Sequence, residues 1–428
     1  MDRSLSGSTT PLLRCSAGIM AYNEAANIAH AIKTILSQQL TTACIAELIV
    51  VASGCSDDTV PIVSRIAQND ARVRLIIQER REGKASAINL FLGAARSPVL
   101  LMASADVVIK DGSLDAMLRH FQDPTVGMVG AHPIPVNNQA TFLGHTVHLL
   151  WRLHDRVARE VPKLGEVVAF RNVLPGIPLD TPVDEISIQA LISQLGYRLV
   201  YEPRAIVYNR GPTTIGDFLR QRRRIYAGHL RIQQQQGYTA PTMSAWRIGR
   251  ILLTERPFST PHEACWTIGA IGLEALARAM GRYDYLRRRP QHVWQIAVTT
   301  KSYIADEANA LMHQSVLVFR IIGFHQQELE LGTRGSQMLV QQVAQRMRQM
   351  LGWHGRVSTE RSGTIIALLP VEREEAERTA QQIIATITTT PVPLNGHREE
   401  VTVKLACGII TFSQTGHALA LAVPAAVS

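Results

Sequence analysis

The sequence predicts an α/β protein whose principal sheet is mostly parallel, and three observations carry that expectation. Short β-branched runs recur, such as Ala46 to Ala52 (AELIVVA) and Val99 to Ala103. Glu47 apart, they are apolar throughout rather than alternating, as strands covered on both faces are. Segments with helical spacing separate them.

The elements follow in order. After a polar leader, Cys15 to Met20 is expected as a buried strand that ends at Ala21-Tyr22-Asn23-Glu24. Residues 25–38 carry Ile28, Ile32 and Ile35 at helical spacing. The strand at 46–52 stops at Ser53-Gly54; a helix at about 58–67, a strand at 73–78, a helix at 84–95 and a strand at 99–103 come next. In such sheets ligands sit beyond the carboxyl ends of the strands, where the polar clusters fall.

The chain has 428 residues, of which 46% are hydrophobic, which excludes whole-chain disorder and allows two or three domains. A formal charge of +9 suits an anionic partner such as a diphosphate or an acidic lipid surface. No nucleic-acid-binding signature accompanies it, so nucleic acid is not expected. Five scattered cysteines without CxxC spacing argue against a disulfide framework or a structural zinc site and fit a reducing cytoplasm. The N-terminus has no signal-peptide-like apolar stretch, and no window has the ~18 apolar residues of a spanning helix.

Seven motifs then appear in sequence: GIMAYNEAANI, VASGCSDDT, REGKASAIN, ASADV, VDEIS, GYRLVYEPRAIVY and QRRRIYAGH. Read physically, Tyr22, Asn23 and Glu24 form a polar edge for a nucleoside, or equally a helix N-terminal turn. Asp57 is a candidate ligand contact or a cap for the following helix. Gly83-Lys84 opens a helix whose N–H groups and lysine suit a phosphate. Asp184 and Glu185 are candidate proton acceptors or acidic residues favoured in a helix's first turn.

Together, from about Ala17 to His229, these motifs resemble a family 2 glycosyltransferase with the GT-A fold, a nucleotide-sugar-binding domain. The resemblance implies donor contacts from Tyr22, Asn23, Glu24, Ser53, Asp57, Lys84 and Asp106. The family often has an acidic pair at the positions of Ala52 and Ser53, which is absent here. Ser104-Ala105-Asp106 occupies the family's DxD position with only its second carboxylate, so Asp106 is the implied ligand of Mg²⁺ or Mn²⁺. Asp184-Glu185, twelve and eleven residues before Gly196, stands where the family has its Glu-Asp pair. Register gives Glu185 the role of base, with Asp184 as the alternative. Gln221, Arg224 and Tyr226 lie in a QxxRW-like segment that lines the acceptor and diphosphate region, Arg224 gripping phosphate oxygens. Arg222 and Arg223 are expected to be solvated or lipid-facing. Gly165-Glu166 to Phe170-Arg171 resembles the acceptor-side strand, with Phe170 and Arg171 as its expected contacts.

Two further zones follow. Residues 236–311 read as a helical connecting segment with Trp246, Trp266, Trp294 and the run Arg287-Arg288-Arg289. Within it Ala264 to Met280 is too short and charged to span a bilayer. It suits either an anionic membrane surface or packing on the first domain. From about Met312, VLVFRIIGF, RVSTERSGTIIALLP and VTVKLACGIITF resemble a degenerate GGDEF (diguanylate cyclase fold) domain, a second small α/β unit. Arg320 and Ile322 lie near the expected first-strand metal aspartates, and Glu360-Arg361-Ser362-Gly363-Thr364 lacks the acidic pair. That module is therefore expected to be non-catalytic: regulatory, nucleotide-sensing or dimerising.

The expected organisation is a flexible leader (1–14), a GT-A domain (15–235), the connecting segment (236–311) and the GGDEF-like domain (312–428). The expected function is inverting transfer from a nucleoside-diphosphate sugar to a saccharide or lipid-linked acceptor, cytoplasmic and peripheral at the inner membrane face. A catalytically impaired nucleotide-sugar-binding regulator is the alternative.

Overall fold

The computed structural model describes residues 12–181, 183–255, 261–287, 304, 308, 313–351, 356–360, 362–369, 373–392 and 401–413. Most of the expected leader, Arg288, Arg289, Trp294 and Arg361 lie outside the described residues. The chain divides into two compact units, Met1–Ile304 and Ala305–Ser428.

In the first unit, β1 (Leu13–Ala21), β2 (Ala43–Ser53), β3 (Val73–Gln78) and β4 (Val99–Ala103) alternate with α1 (Ile28–Leu36), α2 (Thr59–Asn69) and α3 (Lys84–Ala94). Next come β5 (Val108–Ile109), α4 (Ser113–Leu118), β6 (Val126–Pro135), α5 (Phe142–Glu160), β7 (Val167–Arg171), α6 (Asp184–Gln194) and β8 (Arg198–Asn209). Three long helices close the unit: α7 (Ile215–Gln236), α8 (Ala245–Glu255) and α9 (Pro261–Leu286). The eight strands run in the order β3-β2-β1-β4-β7-β6-β8-β5. The first four pair in parallel, whereas β7 is antiparallel to both β4 and β6.

The uniform hydrophobicity of these strands follows from burial on both faces. On one face, Ile19, Leu48 and Leu101 pack with Ile28, Ile32 and Ile35 of α1, Val63 of α2 and Leu114 of α4. On the other, Ile49, Leu100 and Val168 pack with Ile88 and Phe91 of α3 and Ile188 and Ile192 of α6. Both layers aim the carboxyl ends of β1, β2 and β4 at one rim.

Helix α9 packs on α7 through small residues and paired charges. A Cβ at Gly281 would fall 2.6 Å from the Arg223 carbonyl oxygen, so the close helix approach there requires glycine. Glu274 takes both Arg222 (2.8 Å, twice) and Arg278 (2.8 Å), and Arg223 forks onto Asp284. This corrects the expectation that Arg222 and Arg223 are solvated or lipid-facing: both are held by carboxylates of the neighbouring helix. The opposite side of α9 exposes Ile268, Ile271 and Leu276. Among the described residues, no helix is long and apolar enough to cross a membrane.

The second unit contains β9 (His313–Ile321), α10 (Phe324–Leu351), β10 (Arg356–Thr359), β11 (Thr364–Leu369), α11 (Arg373–Thr389) and β12 (Leu405–Ser413). Its four strands form an antiparallel sheet in the order β10-β11-β9-β12. Leu317 and Phe319 of β9 pack with Leu339, Val343 and Met347 of α10 and Ala380 and Ile383 of α11. Gly332 interrupts α10 at φ 70°.

Candidate functional site

The rim at β1 and β2 is built from side chains that satisfy one another. Asn23, at φ 51°, accepts from the Ser56 amide (2.9 Å) and donates to its hydroxyl (3.2 Å). Asp57 accepts from the Ala25 amide (3.0 Å), the Thr59 amide (3.1 Å) and the Thr59 hydroxyl (2.5 Å). Burial works against this carboxylate's charge, yet those hydrogen bonds hold it below the ordinary aspartate range. Glu24 is buried and accepts from Asn27 (3.2 Å). Ser53, also buried, donates to Gln78 (2.6 Å). Asp57, Glu24 and Ser53 thus fasten the β1–α1 and β2–α2 loops rather than presenting open polar groups. Tyr22 lies under Arg81, whose guanidinium is 4.0 Å from the ring centroid.

Charge gathers further along the rim. Gly83, at φ 98° and ψ 161°, takes a backbone conformation open to glycine, and Lys84 begins α3 directly after it. The Lys84 ammonium donates to Glu185 at 2.6 Å and lies 3.5 Å from Asp184. Both acids occupy the first turn of α6, where the helix dipole favours negative charge. The residue before them, Val183, provides no side-chain cap, and neither acid occupies the cap position. Their side chains are 9% and 18% exposed, so the pair is nearly enclosed but reachable. Burial raises Asp184 above the ordinary range, with Glu185 adding to the rise, while Lys84 and its hydrogen bond keep Glu185 ionised. The two titrate as one unit. Arg224 on α7 faces both acids and Glu166.

Glu166 belongs to this cluster; it lies in the segment that resembles the acceptor-side strand, whose expected contacts were Phe170 and Arg171. It precedes β7 at φ 61°, a strained conformation for a non-glycine residue. Burial, then the charges of Asp106 and Glu185, push its carboxyl up to about 7. Its position depends on Gln189, fully buried on α6, one turn after Glu185. The Gln189 amide donates to the Pro162 carbonyl (2.8 Å) and accepts from the Leu164 amide (3.0 Å). That clamp fixes the 162–166 loop against the helix bearing the acids. Asn89 of α3 holds the approach to α6 in the same way, exchanging two bonds with Ile177 (2.8 and 2.9 Å). The resemblance to the acceptor-side strand covered Glu166; Gln189 left no signal.

Two expected contacts are corrected. Phe170 is fully buried in the core beneath the sheet. Arg171 is turned to the far end of β7, donating to the backbone carbonyls of Val126 (2.7 Å), Asp123 (2.9 Å) and Phe121 (3.2 Å). The antiparallel direction of β7 explains both, since its start, not its end, meets the carboxyl rim of the parallel strands. Tyr226 lies between α7 and α9, with the Arg278 guanidinium 5.6 Å from its ring centroid. Gln221 is half-buried on the same helix.

A hard divalent cation requires oxygen donors. Among the described residues, no three Asp, Glu, His or Cys side chains converge as a ligand set. Asp106 and Glu166 nonetheless face each other across the end of β4, and the mutual repulsion of their charges is what a bound cation relieves. The donors fit an ion that takes most of its shell from phosphate and water.

Residues 16–171 match the family model described as Glycosyl transferase family 2, and residues 99–277 match Glycosyl transferase family group 2. Among curated proteins, the chain is 25% identical over 217 residues to poly-beta-1,6-N-acetyl-D-glucosamine synthase of Staphylococcus aureus (strain COL). That alignment covers 48% of this chain and 52% of the relative, so the chain spans about half the length of the curated relatives it matches. Among solved structures, the mannosyltransferase PcManGT from Pyrobaculum calidifontis, in complex with GDP-Man and Mn²⁺, is 20% identical with a TM-score of 0.46. The match covers 65% of this chain and 89% of that one. The FimX GGDEF domain from Pseudomonas aeruginosa is 18% identical with a TM-score of 0.24, covering 25% of this chain and 66% of its own.

Proposed function

We propose that the first unit, a family 2 glycosyltransferase domain, moves a sugar from a nucleoside-diphosphate donor to a hydroxyl acceptor by a single inverting displacement. The observation that carries this reading is the Asp184–Glu185 pair, enclosed at the rim and bound to Lys84. Inversion needs a carboxylate that takes the acceptor's proton as its oxygen attacks the anomeric carbon. Glu185 is that base and Asp184 shares its charge.

Lys84 links donor binding to the base. Without donor, its ammonium is held by Glu185 at 2.6 Å. A diphosphate at the α3 N-terminus competes for that ammonium, with backbone N–H groups also turned toward it. Release of Lys84 makes the carboxylate pair more basic as the acceptor arrives. Arg224 offers a guanidinium fork to the departing phosphate. Asp106, with Glu166 beside it, would hold Mg²⁺ or Mn²⁺, which supplies charge neutralisation for the leaving diphosphate. Tyr22 and Asn23 line the edge where the nucleoside lies, and Glu24, Ser53 and Asp57 act there by shaping the loops.

The acceptor is a cell-envelope or lipid-linked saccharide, in keeping with the polysaccharide synthase among the relatives. The exposed apolar face of α9 and the basic Arg282 and Arg287 suit contact with an anionic membrane surface. The second unit is a non-catalytic, GGDEF-like module with a regulatory, nucleotide-sensing or dimerising role. Its sheet end carries Arg320 and His325 around a cavity of about 570 Å³ rather than paired carboxylates.

A donor screen tests the reading. Purified full-length chain is incubated with Mg²⁺ or Mn²⁺ and a panel of UDP-, GDP- and dTDP-sugars, and nucleoside diphosphate release is followed. One donor is expected to turn over, with loss in EDTA and in Asp106→Ala. A chain that binds no member of the panel is not this transferase.

A further inference from the structure

The four glutamines Gln233 to Gln236 at the end of α7 have no part in the transfer step, yet three of them are bonded outside their own helix. Gln236 donates to the Ser187 hydroxyl (2.8 Å), and its carbonyl accepts from Gln194 (2.7 Å), both on α6. Gln235 donates to Asp180 on the approach to α6 (2.9 Å), and Gln234 accepts from Tyr285 of α9 (2.8 Å). Ile232 of α7 and Tyr238 just beyond it pack on Ile186 and Ala190 among these bonds. The end of α7 is thus fastened to α6 close to the acids, Ser187 being two residues after Glu185.

Tyr238 carries this fastening one step further. Its hydroxyl accepts from Gln189 (2.6 Å), the same amide that bonds Pro162 and Leu164. An apolar side chain would satisfy burial at Gln189; what the amide adds is three bonds to two other segments. Leu164 is held from its other side as well. It is fully buried, and a Cβ at Gly130 of β6 would fall 2.7 Å from it, so the loop sits in a socket that only glycine leaves open. Two residues on, Glu166 keeps its φ of 61°. A strained backbone persists where its surroundings over-determine it, and the socket and the amide do so here.

We propose that Gln189 and Tyr238 are positioning residues for the transfer step: their hydrogen bonds hold the 162–166 loop, and Glu166 with it, against the helix that presents Asp184 and Glu185. The inference rests on the transferase reading and deepens it, adding two residues that act on the site without touching substrate. Reacting groups displaced by about 1 Å lose up to about 10²-fold in rate. A donor bound at β1, β2 and α3 does not feel that displacement, so the loss falls on kcat and not on donor affinity.

Two variants and a control test it in the full chain. Tyr238→Phe removes one hydroxyl and keeps the ring in its apolar contacts, so it decides alone if Gln189→Leu, which removes all three bonds, unfolds the unit. Gln234→Leu cuts a bond of the same glutamine run that leads to α9 instead. Amide hydrogen exchange of residues 162–166 is measured without donor, and turnover and nucleoside diphosphate affinity on the same preparations. Loss of one hydrogen bond should speed loop exchange about fivefold in Tyr238→Phe, and Gln189→Leu should speed it further. Turnover should fall about three- to tenfold in Tyr238→Phe and more than about tenfold in Gln189→Leu, with nucleotide affinity within about twofold of wild type. Gln234→Leu should match wild type in all three measurements. Loop exchange unchanged in Tyr238→Phe, turnover unchanged despite faster exchange, or turnover and nucleotide affinity lost in equal measure overturns the proposal. A wild-type chain that turns over no donor defeats the transferase reading, whereas wild-type turnover with variants that leave the loop or the rate unmoved defeats only the positioning role.

Discussion

The β1–β2 rim and the β7–α6 rim of the first unit are both polar, but they use polarity in opposite ways. At β1–β2, Asn23, Asp57, Ser53 and Gln78 are bonded to neighbours that complete them. At β7–α6, Lys84, Glu166, Asp184, Glu185 and Arg224 face one another in surplus, with carboxylates forced above and below their ordinary ranges. The first arrangement gives shape to loops that receive a ligand. The second stores unbalanced charge, which suits the proposed proton transfer and diphosphate release. Polar residues at a ligand-facing rim are therefore not equivalent, and hydrogen-bond completeness tells the two kinds apart.

That contrast predicts effects of different size. Glu185→Gln should lower turnover by about 10²–10⁴-fold without changing the melting temperature appreciably, as removal of a general base does. Melting curves and nucleotide-release rates on the same preparation check it. Glu274→Ala lies behind the rim, where a charge is fully paired. It should cost about 1–3 kcal/mol in urea unfolding, because the half-buried Arg222 and Arg278 lose their carboxylate. Burial opposes the Glu274 charge, but those two arginines hold its pKa down at about 2. The depressed value means its contribution is present above the unfolded value near 4.5 and is lost as pH falls from there through 2.

Asp57→Ala should cost about 1–3 kcal/mol by leaving the Thr59 and Ala25 donors unmet. Its effect on turnover at saturating donor should be slight, and a large kcat defect would break the comparison.

Much of the fold was legible because its strands are apolar on both faces. Val99–Ala103 has the bounds expected of it, since all five of its residues are buried and its ends are unambiguous. Strand direction was not legible. Nothing in VVAF says that β7 runs antiparallel, so Phe170 and Arg171 were expected at the rim, which the start of β7 meets instead, with Glu166 just before it. The carboxylate pair could be anticipated from its spacing to Gly196, but its tie to Lys84 joins residues a hundred positions apart. Periodicity does not report such tertiary pairings. The α7–α9 charge pairs were missed for the same reason: a run of three arginines looks solvated until the helix carrying Glu274 and Asp284 is laid against it.

The central claim is that the acids opening α6 perform the proton transfer and are not merely structural. Its most direct test is the double variant Asp184→Asn/Glu185→Gln, titrated with the donor from the screen and assayed for turnover on the same sample. The account predicts donor affinity within a few-fold of wild type and turnover reduced by about 10²–10⁴-fold. Turnover close to wild type, with donor binding intact, would contradict it.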